Sequence, residues 1–107
     1  MTEIDFRTTS LAELARSVRT KTVSARELTQ AALDRIERLN PVYNAFVAVD
    51  AERALHEANT IDAHIVEGGD PGPLAGIPIG VKDLQNAVGY TTTYGSALHA
   101  DDPYVVV

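Results

Sequence analysis

Cysteine is absent from these 107 residues. That excludes a disulfide framework, a thiolate nucleophile and any Cys-based zinc site, and it fits a cytoplasmic location. Long apolar runs are lacking too. The longest, residues 45–49, is five or so residues, whereas a bilayer span takes about 20, so no membrane partner is expected. The first five residues, Met1-Thr2-Glu3-Ile4-Asp5, show no basic n-region and no apolar core, so no signal peptide is expected. Basic residues are scarce beyond residue 40, where Arg53 and Lys82 face nine Asp/Glu. The first forty residues carry seven Lys/Arg against six Asp/Glu, and the whole chain is −6. The clustered basic face that binds nucleic acid is therefore missing. The 45 % apolar content is too high for a disordered tail and suits one globular segment.

Local signals organise the first two-thirds of the chain as helices over residues 8–68. Ser10 with Glu13 makes a capping box, and Leu11, Leu14, Ala15 and Val18 follow on one helical face. Ser24 with Glu27 repeats the pattern ahead of a stripe of Leu28, Ala31, Ala32, Leu33, Ile36 and Leu39. Asn40-Pro41 is expected to end that helix, because a proline ring disfavours the helical conformation in the residue before it. Residues 45–49 read as a short strand. Asp50 caps a third helix whose apolar side is Ala51, Ala54, Leu55, Ala58, Ile61 and Ile65, and Gly68-Gly69 stops it.

From Asp70 the texture changes to Pro, Gly and β-branched residues. Ile77, Ile79 and Val81 alternate with Pro78, Gly80 and Lys82, which predicts a strand with one apolar face and one nearly bare face. The bare face leaves room for another backbone, and Gly76, Pro78 and Gly80 are read as permitting it. Asp101-Asp102-Pro103 reads as the start of a further helix through Tyr104 and Val107. A helix of one turn is unstable alone, so the chain is read as the front piece of a longer protein.

One stretch carries chemistry. Gly72-Pro73-Leu74-Ala75-Gly76-Ile77-Pro78-Ile79-Gly80-Val81-Lys82-Asp83, followed by Thr91-Thr92-Thr93-Tyr94-Gly95-Ser96, resembles the amidase signature family. Its members are serine amidohydrolases with a Ser–cis-Ser–Lys triad. The resemblance spans the chain in layout, but its force lies in residues 73–96. It implies that Lys82 is the catalytic lysine, acting through the cis-serine to take the nucleophile's proton and to return one to the leaving amine. It implies a small-molecule amide substrate and no cofactor or metal. An amine accepts a proton only when neutral, and burial favours the neutral form. Placing Lys82 at the end of an apolar strand suits burial, whereas the scarcity of other cations in this part of the chain does not supply the like-charge repulsion that would also favour the neutral form. Alternation turns the Asp83 carboxylate to the opposite face.

The family's serines lie in a Gly/Ser-rich run downstream of the lysine, and none of Ser10, Ser17, Ser24 and Ser96 sits in such a run. The chain alone is expected to be inactive. Ser96 could form a Ser–Lys dyad with Lys82, but the segment around it reads better as a turn. His56-Glu57 opens like a zinc-protease helix motif, yet Thr60 stands where the second His belongs. His64 is eight residues from His56, so both read as solvated. His99 near Asp101 and Asp102 belongs to a helix cap.

The expected fold is α/β, with N-terminal helices followed by the first strands of a mixed sheet. The chain is expected to form the N-terminal portion of one larger domain, helical over residues 8–68 with the lysine segment in residues 70–100. The expected activity is carboxylic amide hydrolysis through an acyl-serine intermediate. Two alternatives stand beside it: the amidotransferase A-type subunit that passes glutamine-derived ammonia to a misacylated tRNA, and a non-catalytic interaction module.

Overall fold

A computed structural model describes residues 4–102. The expected helix beginning at Asp101 and running through Tyr104 and Val107 falls largely outside the described residues. Three helices form the body: α1 (Leu11–Arg19), α2 (Ala25–Tyr43) and α3 (Ala51–Val66), with one 3-10 turn (Ala97–His99) near the end.

Each helix starts where its local chemistry satisfies the first free amides. The Ser10 hydroxyl accepts from the Glu13 N–H (3.1 Å), and the Glu13 carboxylate accepts from the Ser10 N–H (3.4 Å). Ser24 accepts from the Glu27 N–H (2.9 Å), and Asp50 accepts from the Arg53 N–H (3.1 Å). The α3 stop is equally local. Gly68 is left-handed, its N–H returns to the Ile65 carbonyl (3.0 Å), and the Gly69 N–H returns to that of His64 (3.0 Å). Two late carbonyls are thereby satisfied by a residue that has no Cβ to strain.

The cap on α2 has a second, non-local part. Asp62 on α3 accepts from the Ala25 N–H (2.7 Å) and the Arg26 N–H (3.0 Å), so the carboxylate of one helix closes the N-terminus of its neighbour. Asp62→Ala strips both amides of their partner and is expected to cost about 2 kcal/mol. Faster amide hydrogen exchange at Ala25 and Arg26, with α1 unaffected, is the expected signature.

The core lies where the apolar stripes meet. Val18, Ala25, Leu28, Ala58 and Ile65 are buried together, Leu28 completely, and Leu14, Val23, Ile61 and Ile77 pack against them. The rest of the α2 stripe (Ala31, Ala32, Leu33, Ile36 and Leu39) is half-buried.

Two expectations need correction. First, α2 does not end at Asn40-Pro41 but runs on to Tyr43. Pro41 stands in the last turn, where its missing N–H removes a single ladder bond. The left-handed Asn44 then returns its N–H to the Asn40 carbonyl (2.6 Å). The Asn40 side chain also donates to the Phe46 carbonyl (3.0 Å) and accepts from the Phe46 N–H (2.9 Å), fixing the exit of the chain.

Second, residues 45–49 and 77–81 form no strands. Among the described residues the architecture is three helices and loops, and the sheet of the α/β expectation is not present. A strand exists only against a partner, and these residues supply none. Residues 77–81 do not behave as one apolar face either. Ile77 turns into the helical core, whereas Ile79 is 84 % exposed. Among the described residues, no helix is long and apolar enough to cross a membrane.

Candidate active site

Two side-chain anchors hold the loop region against the helices, and a third bond ties the loop region to itself. Arg19 of α1 donates to the Pro73 carbonyl (3.0 Å), at the start of the lysine segment. Arg53 of α3 donates to the Val88 carbonyl (2.6 Å), lies over the Tyr90 ring (5.4 Å) and pairs with Glu57 (3.3 Å). Thr91 donates to the Asp102 carbonyl (3.0 Å). The segment between these anchors carries Lys82.

The small residues near the lysine have occupants. A Cβ on Gly76 would lie 2.8 Å from Val18 Cγ1 and 3.1 Å from the Ala25 Cβ, and Gly76 is left-handed. A Cβ on Gly80 would meet the Phe46 ring at 3.4 Å. The close approach read from the sequence is met at Gly76, where the visitors are α1 and α2, while Gly80 is in ordinary contact with the loop after α2.

Lys82 sits at the start of a turn in which the Gln85 N–H donates to the Lys82 carbonyl (3.0 Å). Its side chain is exposed, and Val81 and Leu84 on either side are exposed as well. The water-poor niche expected for an amine base is therefore not closed by residues 4–102. Lys82 and Asp83 form no ion pair.

Asp83 is engaged elsewhere, in a role the sequence reading missed. Its carboxylate accepts from the Thr93 N–H (2.7 Å), from the Thr93 hydroxyl and from the Gly95 N–H (3.4 Å). The Thr93 hydroxyl, followed by the backbone N–H donors, holds the Asp83 carboxyl below its ordinary value of 3.8. It is thus ionised throughout the neutral range. A parallel tie lies one step away, where the buried Thr92 donates its hydroxyl to the Asn86 side-chain oxygen (2.9 Å). The only signal in the sequence was the run Thr91-Thr92-Thr93, three hydroxyls about ten residues past the acid.

The remaining candidates separate cleanly. Ser96 accepts from the Leu98 N–H (3.2 Å) and begins the 3-10 turn, which is a capping role. His56 and His64 are both exposed on α3, and the His64 ring lies against Gly69. His99 pairs with Asp102 (2.9 Å) and meets the Tyr94 ring edge-on at 5.3 Å.

Comparison with known proteins places this arrangement among relatives. The family model described as Amidase matches residues 27–105. The chain is 50 % identical over 97 residues to the A-type subunit of the glutamyl-tRNA(Gln) amidotransferase of Dechloromonas aromatica, covering 89 % of this chain and 20 % of that protein. It is 49 % identical over 92 residues to the corresponding protein of Thiobacillus denitrificans, covering 86 % and 19 %. Among solved structures, a bacterial aryl acylamidase of the amidase signature family superposes with a TM-score of 0.83 at 31 % identity, over 90 % of this chain and 20 % of the other. A structure tied to the evolutionary origins of an s-triazine catabolic enzyme superposes at 0.86 and 33 %, over 91 % and 21 %. The chain thus spans about one-fifth of the length of these proteins.

Proposed function

We infer the function from one premise: this chain belongs to the amidase family. We propose that the full-length protein cleaves the C–N bond of a carboxamide. The observation that supports this most directly is the family match over residues 27–105, which includes the whole Lys82 segment.

The proposed chemistry follows from what an amide needs. Its carbonyl is a poor electrophile and its nitrogen a poor leaving group, so a serine hydroxyl must lose a proton as it attacks and the nitrogen must gain one as it leaves. In this reading Lys82, neutral, takes the nucleophile's proton through a second serine hydroxyl and gives it back to the departing nitrogen. The acyl-serine that remains is released by water or by another acceptor. Both serines and the oxyanion-binding amides would come from chain beyond this segment. No metal or organic cofactor is required for these steps.

The destination of the nitrogen separates two readings. Hydrolysis to free ammonia or amine is one, supported by the likeness to the aryl acylamidase. The other is transfer of glutamine-derived ammonia, supported by the higher identity to the amidotransferase proteins. The test is an assay of the full-length protein on p-nitroacetanilide and on L-glutamine, alone and with the other components of an amidotransferase. Release of nitroaniline by the protein alone supports the hydrolase. Ammonia release from glutamine that depends on the added components supports the transferase. No turnover of either, or of any member of a wider amide panel, would count against amide cleavage.

A further inference from the structure

We propose that Asp83 is the positioning residue for Lys82: its carboxylate ties the turn bearing the lysine to the bend at residues 93–95 and so fixes the direction of the adjacent amine. The inference rests on the reading of Lys82 as the proton shuttle. It begins from a structural need. Residues 79–83 lie in neither a helix nor a sheet among the described residues, so no backbone ladder sets the direction in which Lys82 projects. A backbone bond from the Gln85 N–H to the Lys82 carbonyl closes the turn on itself, and side chains tie it to the neighbouring loop: Asp83 to Thr93 and Gly95, and Thr92 to Asn86.

The receiving bend is built for the carboxylate. Tyr94 and Gly95 both adopt positive φ (55° and 71°), which aligns the backbone around Gly95 toward Asp83. A left-handed conformation at a tyrosine is strained, so the bend needs external bonds to persist. Asp83 supplies them as a charged acceptor, the stronger kind. The same bonds solve a second problem. A carboxylate next in sequence to an amine base would pair with it and keep it protonated. Here the oxygens face amide and hydroxyl donors instead, and no ion pair with Lys82 forms.

The experiment uses the full-length protein and whichever of p-nitroacetanilide and L-glutamine it turns over. Asp83→Ala is expected to lower kcat about 10- to 100-fold with KM within about threefold, because a shuttle misplaced by an ångström loses rate rather than substrate affinity. Thr93→Val removes one donor and keeps the backbone bond, so a smaller loss is expected. Thr93→Ser, which keeps both, should stay within about twofold of the parent. Full rate in Asp83→Ala overturns the proposal, as does a loss matched by the fall in folded protein measured alongside. Should Asp83→Ala not fold, the Thr93→Val and Thr93→Ser pair decides: equal rates in the two overturn it. Lys82→Ala, run in parallel, separates the two levels. If Lys82→Ala is inactive while Asp83→Ala is unimpaired, only the positioning role falls. If Lys82→Ala is itself active, the function reading falls and this inference falls with it.

Discussion

Alanine in place of Lys82 in the full-length protein is expected to lower carboxamide turnover by about 10³-fold, the usual worth of a positioned proton-transfer group. KM should change little, because the amine acts on protons that move in the transition state rather than on substrate binding. The fold should survive. No carboxylate among residues 4–102 pairs with Lys82, so removing the amine leaves no uncompensated charge in this segment. Steady-state kinetics together with circular dichroism of the variant checks both halves. Turnover within about tenfold of the parent would mean that another group carries the proton.

The second large effect concerns stability. Gly76→Val introduces a Cβ 2.8 Å from Val18, a residue only 2 % exposed at the centre of the core, and does so at a φ of +86°. The backbone strain is worth about 1–2 kcal/mol and the overpacking about 1–3, so about 3 kcal/mol of destabilisation is expected. Denaturant unfolding should show it, while kcat per folded molecule stays near that of the parent. A variant of normal stability but low kcat would instead mean that the space at Gly76 serves the reaction rather than the packing of α1 and α2.

The contrast between these positions shows where the sequence speaks plainly. Helix starts at Ser10, Ser24 and Asp50 and the stop at Gly68-Gly69 were legible because each is settled within a few residues. The second cap of α2 was not, since Asp62 reaches it from a different helix. Pro41 misled because its effect depends on its distance from the helix end, which the dipeptide does not encode. The strand over residues 77–81 failed for a deeper reason. Alternation states which side chains could share a face, but pairing decides whether a strand forms, and no pairing segment lies within residues 4–102. Ile77 therefore follows Val18 and Ala25 into the helical core, while Ile79 and Val81 stay outside.

The site was legible in kind rather than in geometry. The pattern around Lys82 identified the family because glycines, prolines and a lysine at fixed spacing are rare together. What surrounds Lys82 was not readable in the same way. Asp83 looked like a bystander turned to the other face, and only the folded loops bring Thr93 and Gly95 to its oxygens.

A crystal structure of the full-length protein puts the assigned chemistry to its most direct test, through one distance and one exposure. The expected result is Lys82 Nζ enclosed by the rest of the chain, within about 3 Å of a serine hydroxyl that in turn reaches a second serine. A Lys82 amine still standing in bulk solvent, with no serine in reach once the whole molecule surrounds it, would contradict its assignment as the base.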